Sequence, residues 1–189
     1  LGSGYFVQIS RRDGDQLVRG YELDANWRVT DEWSAGGSWG HVYSIYTDFG
    51  SAFPAAIGRR VNGISPQNGS AYVKYTPAAF RNFSANVGVT HVARTPTESP
   101  TAGDTYATTA TGQRVVTRST NQWKLGVPSF TLWSIGLRYR LPSTGHYDHS
   151  VALNVNNVFD REYLRVNRLI GEPRAIFLSY TLNRSGTRR

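Results

Sequence analysis

The constraint that dominates this chain is a strict two-residue alternation that recurs in one segment after another. Between Leu17 and Val29, alternate residues Tyr21, Leu23, Ala25, Trp27 and Val29 form one set, and Gly20, Glu22, Asp24, Asn26 and Arg28 form the other. Side chains of a β-strand point to opposite faces in turn, so this split predicts a strand with one apolar face and one charged face. After Thr30-Asp31-Glu32 the pattern resumes, with Trp33, Ala35, Gly37, Trp39, His41, Tyr43 and Ile45 set against Ser34, Gly36, Ser38, Gly40 and Ser44. The same reading predicts strands over 70–76, 82–92, 130–141, 151–155 and 174–182, with an eighth over 4–10. Runs of Ala, Leu, Glu and Lys at helical spacing are missing, whereas Gly (19), Pro (8) and aromatic residues (13%) are plentiful. The expected fold class is therefore all-β and antiparallel.

The connections decide what kind of sheet this is. Those at 30–32, 77–81 and 142–149 are short, while 47–68 and 93–128 are long and rich in Thr, Pro, Gly and other polar residues. Loops of that length are uncommon in a compact soluble domain. Short turns at one end and long loops at the other are the habit of transmembrane barrels. Trp27, Trp33, Tyr75, Phe83, Tyr139 and Tyr180 all fall at the short-turn ends of their strands, where an interfacial aromatic girdle belongs. Lipid offers no partner for a free backbone N–H or C=O, so a spanning sheet must close and its charges must face inward. Glu22, Asp24, Arg28, Lys74, Arg138 and Arg140 all fall on the predicted inner face. A soluble β-sandwich would need turns at a regular spacing of roughly 8–12 residues, which the two long loops do not provide. No apolar run approaches the roughly 20 residues of a membrane-spanning helix. The chain carries no methionine, even at position 1, so a processed chain or a fragment is expected.

Four landmarks, in order along the chain, resemble the TonB-dependent outer-membrane receptors. Leu153-Asn-Val-Asn-Asn-Val-Phe-Asp-Arg-Glu-Tyr163 is similar to that family's next-to-last barrel strand, L-x-V-x-N-L/V-F-D-K/R-x-Y. Gly171-Glu-Pro-Arg174, followed by Ile176, Leu178, Tyr180 and Leu182, resembles its closing strand. Arg19-Gly-Tyr-Glu-Leu23 and Pro128-Ser-Phe-Thr-Leu132 resemble two further strands. The resemblance implies that residues 1–182 are about the last eight strands of a 22-stranded transmembrane β-barrel, with 183–189 a polar, basic tail. It also implies a plug domain and a TonB-contacting box upstream of this segment. The family commonly ends on an aromatic residue, whereas here Tyr180-Thr-Leu182 is followed by Asn-Arg-Ser-Gly-Thr-Arg-Arg189.

The chemistry of the side chains agrees with a receptor rather than a catalyst. Lysine occurs only at positions 74 and 124, so 19 of the 21 basic residues are arginine, and the net charge is +8. A guanidinium stays charged and pairs bidentately with carboxylates, which suits capture of anionic ligands. Candidate ligand contacts are Arg59, Arg60, Tyr106, Arg114, Arg118, Trp123 and Lys124 in the long loops, with Tyr72 and Arg138 on the inner face. The outer-loop cations are equally suited to lipopolysaccharide phosphates. Asn157 and Asp160 suit a strand end and the turn that follows it, a folding role. The absence of cysteine excludes thiolate metal sites and a cysteine nucleophile. His146 and His149 with Asp148 lack two further ligands in view, and His41 and His91 read as interfacial residues. No triad spacing, paired carboxylates or phosphate-cradling loop marks an enzyme, so neither catalysis, a cofactor nor a bound metal is expected. The basic residues are scattered rather than gathered on one stripe, which argues against nucleic acid. The expected function is uptake of a scarce ligand, a ferric siderophore above all, across the outer membrane of a Gram-negative bacterium, in contact with its lipid and energised through the TonB complex. The alternatives are a complete eight-stranded outer-membrane barrel acting as an adhesin or structural protein, and a soluble, aromatic-rich binding sandwich.

Overall fold

The computed structural model describes residues 15–48, 57–96, 105–112, 114–118, 126–144, 146–165 and 169–184. Seven long strands form one antiparallel sheet in the order β1 (Gln16–Arg28), β2 (Trp33–Tyr46), β3 (Gln67–Tyr75), β4 (Phe83–Val92), β7 (Phe130–Thr144), β8 (Tyr147–Asn156) and β9 (Ala175–Arg184). Each strand thus lies beside its neighbour in the chain, save for a two-stranded hairpin, β5 (Thr105–Thr108) and β6 (Arg114–Arg118), inserted between β4 and β7. The sheet is open. Among the described residues β1 and β9 each have one neighbouring strand. The predicted strand over 4–10 lies outside the described residues.

The register carries the alternation across the whole sheet. On one face Ala35 stands opposite Val73, Val73 opposite Val87, Val87 opposite Ile135, Ile135 opposite Val155 and Val155 opposite Ile176. On the other face Arg28, Ser34, Lys74, Asn86, Gly136 and Asn154 form one continuous row. A one-residue slip anywhere would exchange the two faces, so the apolar pattern fixes the pairing. No second layer among the described residues covers the apolar face: Leu23 is 61% exposed and Leu178 76%. The sheet has no interior of its own.

The buried hydrophobic residues lie beyond the strand ends, on the long-loop side. Ile57, Val61 and Val127 are buried, with Thr95 and Pro96 beside them in burial. Backbone bonds tie the first long connection to the second, from Gly63 N to Pro96 O at 2.9 Å, and the second to itself, where Thr95 pairs with Val127. The loops therefore form a small packed layer over one end of the wall.

Three sequence expectations need correction. The connection over 93–128 is not featureless, since it contains the β5–β6 hairpin, whose Thr-rich strands lack the apolar alternation of a wall strand. The turn predicted over 142–149 is shorter than expected, because β7 runs on to Thr144 and β8 begins at Tyr147. Pro142 reads as a breaker, but it sits where the β7–β8 register shifts between Leu141 and Thr144, an irregularity that accommodates a residue with no N–H. β9 also extends to Arg184, two residues past the predicted end of the wall.

Candidate functional site

The polar face and the long-loop rim are where side chains with chemistry converge. On that face, the Tyr72 hydroxyl donates to Asn26 Oδ1 at 2.9 Å, crossing from β3 over β2 to β1. The crossing is possible because Gly36 lies between them; a Cβ there would stand 2.7 Å from the Tyr72 ring. Nearer the short turns, Arg138 donates from Nη2 to Ser150 Oγ at 3.2 Å, in an open cleft of about 410 Å³ that also contains Asn82, Arg140, Asp148 and Asn183. Tyr72 and Arg138 share the face without meeting. The register sets Tyr72 level with Ser134, four residues and two strands from Arg138, or roughly 13 Å along and 10 Å across.

A second cavity sits at the long-loop end, between the start of β7 and the β8–β9 connection. It measures about 650 Å³ and is lined by Pro128, Ser129, Phe130, the run Asp160–Leu164, Ile170, Gly171 and Pro173. Phe130 belongs to the polar-face set of β7, and its ring lies 4.5 Å from that of Tyr163. Arg161 and Glu162 are exposed on the wall of this cavity, and Arg165 pairs with Glu172 at 2.9 Å close by. An aromatic pair flanked by an exposed guanidinium and a carboxylate can hold a flat or amphipathic ligand by stacking and orient it by charge.

A backbone knot positions this cavity. Asn157 and Asp160 both adopt positive φ, 49° and 51°, a conformation that Asn and Asp tolerate better than other non-glycine residues. The buried Asn157 amide donates to the carbonyls of Arg161 (2.9 Å) and Glu172 (3.1 Å), while its Oδ1 accepts from Arg161 N–H (2.9 Å). Asp160 Oδ1 accepts from Arg174 N–H at 2.7 Å. These two residues thus pin the β8 end to the start of β9, the folding role expected of them. Gly171 lets the Tyr163 ring lie against the backbone, since a Cβ there would collide with that ring.

The remaining predicted contacts scatter. Arg59 and Arg60 lie in the first long connection, where Tyr46 N–H donates to Arg59 O at 3.0 Å and Arg60 pairs with Ile45. The Arg60 guanidinium stacks 4.4 Å over Tyr43, a residue of the apolar-face set, so it stands outside the group that shares the polar face. Tyr106, Arg114 and Arg118 occupy backbone positions in the β5–β6 hairpin. Trp123 and Lys124 lie outside the described residues. Phe130, Arg161 and Tyr163 were missed in the sequence reading; the inward parity of Phe130 at a strand's rim was the available signal.

The histidines divide as their parity dictates. Asp148 and His149 are consecutive in β8 and face opposite sides; His149 Nδ1 hydrogen-bonds the Tyr180 hydroxyl at 2.5 Å. Among the described residues no group of three or more His, Asp or Glu side chains converges as a metal site. His91 Nδ1 bonds Thr131 Oγ1 at 2.8 Å, and His41 packs 5.4 Å from Tyr21. No helix among the described residues is long and apolar enough to cross a membrane, which leaves crossing by strands open.

Comparison with known proteins places this geometry. Residues 2–158 match the family model described as TonB dependent receptor-like, beta-barrel. No curated protein sequence matches the chain. Among solved structures, the ferric citrate transporter FecA in its unliganded form superposes with a TM-score of 0.63 at 20% identity, covering 90% of this chain and 25% of that one. The siderophore receptor PiuA from Acinetobacter baumannii gives 0.61 at 17% identity, over 90% of this chain and 22% of the receptor. The ferripyoverdine receptor of the Pseudomonas aeruginosa outer membrane, bound to ferripyoverdine, gives 0.57 at 16% identity, over 87% and 19%. The chain spans about a fifth to a quarter of the length of these structures.

Proposed function

Because the chain belongs to the TonB-dependent receptor-like β-barrel family, we propose that it builds part of the wall of an outer-membrane active transporter, about the last eight strands of a 22-stranded barrel. In this reading the long loops face the exterior of a Gram-negative cell, and the short turns face the periplasm. The ligand is a scarce, chelated metal, a ferric siderophore above all, captured at the long-loop rim and passed along the polar face. TonB and its partner proteins supply the energy by moving a plug that fills the barrel, so the wall needs no nucleotide site. The iron travels as cargo inside its chelator and requires no protein ligands, and the wall performs no catalysis.

The observation that carries the proposal is the division of one open sheet into two chemically opposite faces. An uncovered apolar face belongs against lipid, and a face with Tyr72, Lys74, Arg138 and Arg140 belongs against a hydrated interior. The ligand class is supported by the relatives, which include a ferric citrate transporter and siderophore receptors. It is supported also by the cavity at the rim, where the Phe130 and Tyr163 rings meet at a 38° tilt and Arg161 supplies positive charge. Arg59, Tyr72, Tyr106, Arg114, Arg118, Trp123, Lys124 and Arg138 remain candidate contacts along the same route.

The test is uptake of radiolabelled ferric chelates by iron-starved cells carrying the intact gene, a deletion of it, or a deletion of TonB. Loss of accumulation of one chelate in both deletions is expected. Unchanged accumulation of ferric citrate, hydroxamate and catecholate chelates in the gene deletion would overturn the transport assignment.

A further inference from the structure

Arginine is neutralised at some points of this wall and left alone at others, and the difference locates a site. At one short turn Arg28 pairs with Asp31 at 2.9 Å, and at the rim Arg165 pairs with Glu172 at 2.9 Å. Arg138 and Arg140 differ. Both belong to β7 and stand two residues apart on the polar face, their Cα atoms about 7 Å from one another. Among the described residues neither forms an ion pair. Arg138 gives one of its five N–H donors to Ser150 Oγ at 3.2 Å, and the Arg140 side chain makes no hydrogen bond to a described residue.

Both arginines border the cleft of about 410 Å³ at the short-turn end. Two amides border it with them. Asn82 precedes β4 and accepts from Arg140 N–H at its backbone oxygen (2.8 Å), and Asn183 on β9 stands opposite Asp148 on β8. The Asp148 carboxylate accepts from Ser143 Oγ at 2.7 Å and pairs with neither guanidinium. Glu22 and Asp24 share the polar face but belong to β1. The register sets Asp24 level with Leu132, six residues along β7 from Arg138 and four strands away, or about 20 Å in each direction. The cleft therefore holds a surplus of donors. Two like charges this close repel one another, and an entering anion relieves that repulsion.

The donor geometry selects the class of anion. Each guanidinium presents a planar fork that one carboxylate fills through two parallel N–H···O bonds. Two such forks side by side on one strand match two carboxylates of one molecule, with the neighbouring amides left to meet its remaining polar atoms. The volume suits a small molecule. We propose that Arg138 and Arg140, with Asn82 and Asn183, bind a solute carrying two or more carboxylates at the short-turn end of the polar face. For the transporter this names a ligand class, a chelate with peripheral carboxylates, and a second station on its path. That use rests on the transport reading, whereas the binding itself does not.

The test is isothermal titration calorimetry of the intact protein, purified from its own membranes in detergent. Metal-free citrate is the probe and its uncharged triethyl ester the control. Citrate binds and the ester does not. Arg138→Gln/Arg140→Gln weakens citrate about tenfold, the loss of two charge-assisted contacts at an open site. Asp148→Asn keeps the acceptor for Ser143 but removes the opposing charge, and it tightens citrate about twofold or more, a gain that damage to the fold would not produce. Arg28→Gln, whose guanidinium is already paired, leaves the affinity unchanged. Heat-modifiable gel migration shows which variants are folded, and Arg140→Gln with Asp148→Asn decides the question if the double variant is not. No citrate binding by the wild type, equal affinity in the arginine variants, or weaker binding by Asp148→Asn would overturn the proposal. So would inorganic phosphate binding as tightly as citrate, which would mark a site for any anion. The uptake assay is independent of these outcomes. A protein that accumulates a ferric chelate but fails here keeps its transport assignment and loses this cleft, and one that binds citrate but takes up no chelate does the reverse.

Discussion

Asn157 offers the sharpest test of how the rim is built. Its side chain is buried, 6% exposed, and makes three hydrogen bonds to backbone groups of Arg161 and Glu172, while its own backbone holds φ at 49°. Replacement by alanine removes all three bonds, each of which contributes about 1 kcal/mol, and leaves the partner groups poorly satisfied. It also forces a residue without a side-chain partner into left-handed backbone, at a further cost of about 1 kcal/mol or more. The expected loss is about 4 kcal/mol for Asn157→Ala. Glycine removes the same three bonds and suffers no backbone penalty, so Asn157→Gly should lose about 3 kcal/mol. Aspartate keeps only the bond accepted from Arg161 N–H and turns a carboxylate oxygen toward two carbonyls, so it should fall near alanine. The assay is hydrogen exchange at the Arg161 and Arg174 amides of the membrane-embedded protein. A 3 kcal/mol loss accelerates exchange by roughly 100-fold where local opening governs it. Exchange in Asn157→Ala within a few-fold of wild type would refute the reasoning, as would an alanine variant more protected than the glycine one.

Three further outcomes follow from the same geometry. Gly171→Ala should cost about 1–3 kcal/mol by driving the Tyr163 ring from its place, and the cost should largely vanish in a Tyr163→Ala background, as a double-mutant cycle of urea unfolding would read. Leu178→Arg, on the apolar face, should lose about 2–4 kcal/mol of stability in vesicles, whereas Ser179→Arg, one residue on and facing the other way, should be nearly neutral. Arg138→Gln should leave heat-modifiable migration unchanged and reduce chelate uptake, with equal uptake by wild type and variant counting against a ligand role for the polar face.

The wall was legible because lipid imposes a binary code that alternation reports directly. Tyr21, Leu23, Ala25 and Trp27 could face only one way, and the seven long strands emerge from such runs alone. Ends were harder. Gln67-Asn68-Gly69 opens β3 without any apolar residue; it pairs with His41, Gly40 and Trp39 at the long-loop end of the sheet. Pro142 mimicked a turn while sitting in a bulge. β5 and β6 stand apart from the wall, so no alternation against lipid marks them. The candidate site was only partly legible, because it depends on which long-loop residues return to the sheet. Asn157 and Asp160 carried a local signature for positive φ, but the meeting of Phe130 with Tyr163, thirty-three positions apart, is a tertiary event. Arg60 looked like a rim residue from sequence; its stacking on Tyr43 follows from the 45–60 pairing, which no local pattern announces.

The two faces also differ in how they use glycine, and the difference bears on what the wall is for. A sheet in water that left Leu23, Ile176 and Leu178 this exposed would forgo about 1.5–3 kcal/mol for each, so the fold is favourable only where the surroundings are themselves apolar. In the proposed setting lipid covers that face without demanding a partner layer. The polar face has no such cover, yet it is not bulky. Tyr72 lies flat over Gly36, and a Cβ at Gly136 would strike the Asn86 and Asn154 amides that reach over it from the flanking strands. Gly88 and Gly40 stand on the same face. Gly36 and Gly136 let longer polar neighbours lie along the sheet rather than project from it, which keeps the wall thin there while still hydrogen-bonding across strands. A surface built only for stability would fill those positions with side chains that pack. A thin, hydrogen-bonded, polar lining instead leaves room beside it, which is what the proposed transport role asks of an inner wall.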